Sequence, residues 1–343
     1  MVCDITSRVG AFDLNVDGYI DIVYFGDTCG RLWRFDVSAP IVVTGSIAQS
    51  GRGGGASIVA EDWSGEIIFC ANTDAVCFDA GDNNTVPQND VEPIFFAPTL
   101  ALDDLGRRHV MFLTGDRRDP SNINKAGKLY NIIDNFIPSF LAGGTAVGGI
   151  TGKSATDLIN AGQVIELEAQ NALDGQFIAV TGNSFNSDQG EFIVIFPGNV
   201  LVDVNDVEEG EKGFGAPVVI NRVLIFTTFA PDTGTTSVCT AGTGVGSVFA
   251  LDFITGEPAL IRIPGARNSG ILRGTDAQNK IAAGVTVAEG MPTPAQLTFG
   301  ARGSVLMSVA FTGGPIAGGS QFLVWELPPF PTKTQTLFWE ELL

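Results

Sequence analysis

Positive charge is scarce in this sequence. Lys and Arg number 19 against 38 Asp and Glu, giving a formal net charge of −19 and a pI near 4.3. No Lys/Arg cluster offsets the excess locally, so the chain repels phosphate backbones and anionic lipid surfaces, and nucleic acid is not an expected partner. Histidine is scarcer still, at one residue, His109. It stands at the start of an apolar strand beside Arg107 and Arg108, with no Gly-x-Ser-x-Gly elbow to accompany it, and reads as a strand-edge histidine rather than the base of a triad. No apolar run reaches the length of a membrane-spanning helix. The opening Met1-Val2-Cys3-Asp4-Ile5-Thr6 lacks the basic start and apolar core of a signal peptide. The sequence as given therefore reads as soluble, and as a piece of something longer.

Among the five cysteines there is no Cys-x-x-Cys, which argues against zinc and haem. Cys70 and Cys77 flank a plausible hairpin tip and are the first choice for a disulfide, with buried thiols as the alternative. Cys3 is a candidate to pair with a residue ahead of the given sequence. The glycine-rich pieces Gly51–Gly55 and Gly143–Gly149 lack the Gly-Lys-Ser/Thr ending of a phosphate-binding loop and read as turns.

What the chain does have is glycine, 43 residues of it, with charged residues held to 17%. That balance suits many short strands joined by tight turns, so the fold class expected is all-β. One stretch carries chemistry: Asp13-Leu14-Asn15-Val16-Asp17-Gly18-Tyr19-Ile20-Asp21. Oxygen side chains recur at loop positions one, three, five and nine, with glycine at six where the backbone must turn. Hard cations want such ligands, and the site expected is calcium held by Asp13, Asn15, Asp17 and Asp21 side chains and the Tyr19 carbonyl. A full EF-hand is excluded, because Tyr24 stands where the bidentate glutamate belongs and the exit Tyr19 to Gly26 has strand composition. The plain alternative is an Asp-Gly hairpin turn that binds nothing.

Strand-strand-turn patterns recur: Tyr24 to Asp36; Pro98 to Asp134; Gln176 to Phe196; Pro217 to Asp252; and Pro294 to Leu327. The inner strands are nearly all apolar, which implies cover on both faces. Such meanders stacked radially make a β-propeller, here possessing about five or six blades over residues 1–343 and counting a degenerate blade around Ala56 to Phe78. Its ring either closes on itself or is completed by an upstream or separate polypeptide. Asp116 to Ala126 and Ala230 to Val245 read as projecting loops, and Asn135 to Leu141 as a helical or irregular excursion. Thr114 to Pro120 reads as a self-neutralised charged turn, Asp203 to Glu211 as a solvated acidic loop and a weak second calcium candidate, and Trp33, Trp325 and Trp339 as packing residues.

Ala11 to Asp27, Gly30-Arg31-Leu32-Trp33-Arg34-Phe35-Asp36, Thr114 to Pro120, Gly246 to Gly256 and Phe338-Trp339-Glu340-Glu341-Leu342 together resemble the C-terminal part of PilY-type proteins, the type IV pilus tip-associated adhesins and assembly factors of Gram-negative bacteria. The resemblance implies calcium on Asp13, Asn15, Asp17, Tyr19 and Asp21 in a modified propeller, which affects pilus extension and retraction. It further implies minor pilins as partners, adhesion to host or abiotic surfaces, an extracellular or cell-surface location, and no enzyme activity. The rival expectations are a quinoprotein-like propeller dehydrogenase, although the adjacent cysteines of many such active sites are missing, and a pilus-independent propeller that binds polysaccharide or surfaces.

Overall fold

Runs of β-branched and aromatic residues bounded by Gly, Asp and Asn turns fold here as strands. The computed structural model describes residues 3–39, 42–44, 57–59, 63–71, 92–123, 125–143, 145–169, 177–183, 190–196, 210–231, 244–262, 270–271, 280–300, 305–312 and 322–327. Among these residues nearly all regular structure is strand, with one short helix, Ala155–Asn160. The Asp157 carboxylate starts that helix by accepting both the backbone N–H (2.7 Å) and the hydroxyl (2.8 Å) of Ser154.

The first sheet runs in the order Gly10–Phe12, Ile22–Gly26, Arg31–Asp36, Ser64–Cys70, Lys153–Ser154. The first four strands are antiparallel neighbours, and the last pair is parallel. Ser64–Cys70 thus pairs with Arg31–Asp36 and does not open the separate blade expected around Ala56 to Phe78. The long apolar strands Arg108–Leu113, Lys128–Ile133, Val223–Pro231 and Gly244–Asp252 lie in one eleven-stranded sheet. A last antiparallel sheet holds Gln296–Phe299, Val305–Ala310 and Phe322–Leu327. Among the described residues none of these sheets closes on itself.

The period-two alternation of strands sorts the core into three layers. Val110 and Phe112 join Tyr24, Leu32, Phe69 and Tyr130 between the first sheet and the next meander. The intervening Met111 and Leu113 point the other way, toward Phe226, Phe249 and Leu251. Ile225, Val248 and Ala250 turn from that second cluster toward Val305, Met307 and Val309 of the last sheet. Each inner meander therefore buries both faces against its neighbours, which is why its strands lack the polar alternation of a half-exposed sheet. The copies also differ from free-standing meanders. Phe192–Ile195 hydrogen-bonds to Lys128–Ile133, and Gly284–Glu289 bridges Gly244–Asp252 to Phe177–Asn183, so edge groups that would face solvent are paired.

Asn135 to Leu141 is irregular and has no helix, and Ile137 and Val147 make an isolated antiparallel bridge beside it. Cys3 forms a disulfide with Cys29, which replaces the expected pairing of Cys3 outside the given sequence: the amide of Thr28 donates to the Asp4 carbonyl at 3.0 Å and brings the two ends together. Cys70 is disulfide-bonded, and Cys77 lies outside the described residues.

Candidate functional site

The nine-residue loop Asp13 to Asp21 connects the first two strands of the first sheet, Gly10–Phe12 and Ile22–Gly26. Its base is closed by the Asp21 N–H, which donates to the Phe12 carbonyl at 2.9 Å. The Asp21 carbonyl accepts from Val37 N–H at 2.9 Å, so the loop is tied to the end of Arg31–Asp36 as well. Within the loop the polar side chains organise the backbone. Asp13 accepts from the amides of Asp17 (3.3 Å) and Gly18 (2.8 Å) on its two oxygens. Asn15 Oδ1 accepts from Asp17 N–H at 3.0 Å, and its Nδ2 donates to Asp17 Oδ2 at 2.9 Å. Asp17 Oδ1 accepts from Tyr19 N–H at 2.9 Å, and Asp21 Oδ2 from Leu14 N–H at 2.7 Å.

Two residues take left-handed backbone: Gly18 at φ 92° and Val16 at φ 59°. For glycine this costs little, whereas a β-branched residue there is a strained outlier held by its surroundings. Asp21 is buried while Asn15 to Ile20 are exposed. Burial pushes the Asp21 carboxyl above its usual range, opposed by the Leu14 and Asn15 amides and reinforced by the negative charges of Asp13 and Asp17. The structure therefore brings Asp13, Asn15, Asp17 and Asp21 into one electrostatically coupled loop, with Tyr19 at its rim.

The fit to a cation rests on donor chemistry. The donors are all oxygen, from three carboxylates, an amide and a peptide carbonyl, as a hard dication requires. Among the described residues, however, no three His, Cys, Asp or Glu side chains form a ready-made metal cage. The loop oxygens serve backbone amides and each other.

The remaining sequence candidates resolve into structural roles. In the charged turn, Arg118 donates to both oxygens of Asp116 at 3.0 Å, and the Arg117 guanidinium lies 5.3 Å from the Phe96 ring centroid. Lys212 reaches into this turn from below: its buried ammonium donates to the carbonyls of Asn122 and Gly210 at 2.6 Å. Trp33 packs against the Phe25–Phe35 pair, and its indole N–H donates to Asp27 at 2.9 Å. Gly152-Lys153-Ser154 follows Gly143–Gly149 at the head of the short helix, where Lys153 is bound to Glu191 at 2.5 Å. His109 stands at the entry of Arg108–Leu113, as expected, and is fully buried there. The side chain of Trp325, residue Trp339, most of Asp203 to Glu211, Gly51–Gly55 and most of Ala230 to Val245 lie outside the described residues.

A buried polar cluster has no counterpart in the sequence reading. Asp134 accepts from Arg34 Nη1 (2.7 and 2.8 Å) and Tyr24 OH (2.8 Å), and Arg108 donates to Tyr24 OH and the Phe136 carbonyl. The cluster crosses from the first sheet to the second. Arg34 is 2% exposed and its guanidinium lies 3.8 Å from the Phe136 ring centroid. Charged residues in strand positions were the available signal, but nothing in their spacing names the partner.

No family model matches the chain, and no curated protein sequence matches it. Among solved structures it is similar to the crystal structure of the Pseudomonas aeruginosa PilY1 C-terminal domain, with a TM-score of 0.52 and 19% identity. The match covers 90% of this chain and 59% of that one, so the present chain spans well under two thirds of its neighbour. At this identity the likeness is one of fold, and this all-β arrangement of stacked sheets is similar in fold to the PilY1 C-terminal domain.

Proposed function

We propose that the chain is a noncatalytic, calcium-binding β-propeller of a type IV pilus tip-associated protein, displayed at the surface of a Gram-negative cell and acting in pilus assembly, retraction control and adhesion. The observation that carries this reading is the fold likeness to the PilY1 C-terminal domain over 90% of the chain. The oxygen-lined loop at the margin of the first sheet supports it. Asp13, Asn15, Asp17 and Asp21 side chains with the Tyr19 carbonyl would hold the ion, whose positive charge would offset the burial and, after it, the neighbouring negative charges that raise the Asp21 carboxyl. Through the Asp21 backbone, bonded to both Phe12 and Val37, the loop can pass rigidity to three strands of the first sheet. Its exposed Val16, Tyr19 and Ile20 then present a fixed surface to minor pilins, or to a host or abiotic surface.

The test is shear fractionation of piliated cells carrying the tagged native chain or Asp17→Ala. The native chain is expected with sheared pili and minor pilins in calcium, with the variant depleted from that fraction. A native chain found only in the cytoplasm, or shed independently of pili, would overturn the proposal.

A further inference from the structure

Two turns of this chain are built to one plan. In Asp27-Thr28-Cys29-Gly30-Arg31-Leu32-Trp33, the aspartate Oδ1 accepts from Cys29 and Arg31 amides (2.9 and 3.1 Å), and Oδ2 accepts from Arg31 Nε (2.6 Å) and Trp33 Nε1 (2.9 Å). In Asp103-Asp104-Leu105-Gly106-Arg107-Arg108-His109, Asp103 Oδ1 accepts from Leu105 and Arg107 amides (2.9 and 2.7 Å), and Oδ2 from Arg107 Nε at 2.5 Å. Gly30 and Gly106 share φ values of 76° and 75°. The last donor differs. Where Trp33 offers a permanent N–H, the second copy places His109 Nε2 at 3.5 Å from Asp103 Oδ2, without a hydrogen-bond partner.

The other ring nitrogen fixes the tautomer. His109 Nδ1 lies 3.0 Å from Asn131 Oδ1. That amide cannot be turned round, because its Nδ2 donates to the carbonyls of Gly190 (3.1 Å) and Phe253 (2.7 Å). An acceptor facing Nδ1 requires the proton on Nδ1, which leaves a bare Nε2 lone pair toward a carboxylate. The ring also meets Phe253 edge-on at 5.0 Å between centroids. The imidazole thereby links its own strand to Lys128–Ile133 and to the turn after Gly244–Asp252, and the Asn131 amide extends the link to Gly190.

We propose that His109 is a proton-gated latch, in which a proton added at Nε2 completes the second Asp-x-x-Gly-Arg turn as Trp33 permanently completes the first. The charged groups facing it are Asp103, which favours the proton, and Arg107, which opposes it. Those on the other packed elements are engaged elsewhere: Glu191 with Lys153 and the Ile133 amide, Asp134 with Arg34, and Asp252 with Arg222 and its own turn. Burial is the largest influence and holds His109 below the ordinary imidazole range, so the latch engages only on acidification.

The chain contains a single histidine, so nitrogen NMR of the intact, 15N-histidine-labelled protein reads this ring alone. The expected result is the Nδ1–H tautomer at neutral pH, then protonation of Nε2 at a midpoint below that of free imidazole, with Nδ1 protonated throughout. An Nε2–H tautomer at neutral pH, a midpoint at or above that of free imidazole, or unfolding before Nε2 gains its proton would each overturn the proposal. Asp103→Asn, if folded, should lower the midpoint by about one unit, because it removes the carboxylate that receives the new N–H. An unmoved midpoint in the folded variant would also overturn it.

Discussion

Replacing Asp134 with alanine should be among the most damaging single changes in the chain, and the reason lies in how one guanidinium is shared. Arg34 is 2% exposed and has two carboxylate partners: Asp134, which is fully buried, and Glu66, whose side chain is 43% exposed. Asp134→Ala removes the acceptor for Arg34 Nη1 and Tyr24 OH, and also for the Ile150 amide at 3.1 Å. It leaves Arg34 beside Arg108, which donates to the same Tyr24 hydroxyl at 3.1 Å. Stranding a buried charge in this way costs about 3–5 kcal/mol. Glu66→Gln removes the solvent-facing partner of the same group, and such pairs contribute roughly 0–1 kcal/mol. Urea unfolding followed by tryptophan fluorescence should therefore separate the two variants by about 2 kcal/mol or more. Replacing the pair together, Arg34→Met with Asp134→Leu, should recover part of the loss by removing the stranded guanidinium, while Arg108 keeps its Tyr24 and Phe136 acceptors. Equal losses for Asp134→Ala and Glu66→Gln, or a loss under about 1 kcal/mol for the former, would refute the claim that this pair lies in a low-dielectric seam between sheets.

Three other perturbations follow from the packing and charge. Phe226 and Phe249 stack at 4.9 Å and are 1% and 0% exposed, so Phe226→Ala should destabilise by about 3–5 kcal/mol in the same urea assay. A Cβ on Gly127 would lie 2.0 Å from the Thr114 carbonyl oxygen; because backbone has nowhere to retreat, Gly127→Ala should lower the thermal midpoint and cost about 1–3 kcal/mol. Burial lowers the Lys212 pKa from 10.5 to about 8. Between those values the unfolded chain holds the proton and the folded chain does not, so this group's contribution to stability rises with pH there; the stability difference between wild type and Lys212→Met should shift accordingly in unfolding at pH 7.5 and 9.5.

Much of the scaffold was legible because a strand buried on both faces leaves a plain mark. Val223 to Phe229 and Gly246 to Asp252 were readable as paired apolar strands, and the structure pairs Val223–Pro231 with Gly244–Asp252 residue by residue. What joins the meanders edge to edge was not legible, since backbone pairing of Phe192–Ile195 with Lys128–Ile133 depends on tertiary placement and not on side-chain pattern. Ser64–Cys70, within the stretch where a degenerate blade is expected, joins the first sheet for a related reason: its apolar run fits any blade, and only its register against Arg31–Asp36 decides. The loop from Asp13 to Asp21 was visible because its chemistry is local in sequence. The Arg34–Asp134 pair spans a sequence separation of 100 residues and leaves no local trace. The burial of His109 was not legible, because nothing local in the sequence shows where its two arginine neighbours turn. In the structure those arginines turn to Asp103, Tyr24 and the Phe136 carbonyl, and the imidazole between them is buried.

The fold likeness carries the pilus reading and the loop its calcium chemistry, and the most direct measurement of that chemistry is a calcium titration by calorimetry on the native chain and on Asp17→Ala, after exhaustive chelation and at physiological salt. The account predicts saturable binding of about one ion per chain by the native protein, abolished or weakened at least tenfold in the variant, because Asp17 would supply a carboxylate ligand and is the acceptor that holds the Tyr19 amide. Absence of binding by the folded native chain, or equal binding by both proteins, would contradict it and reduce Asp13 to Asp21 to a turn that organises only its own backbone.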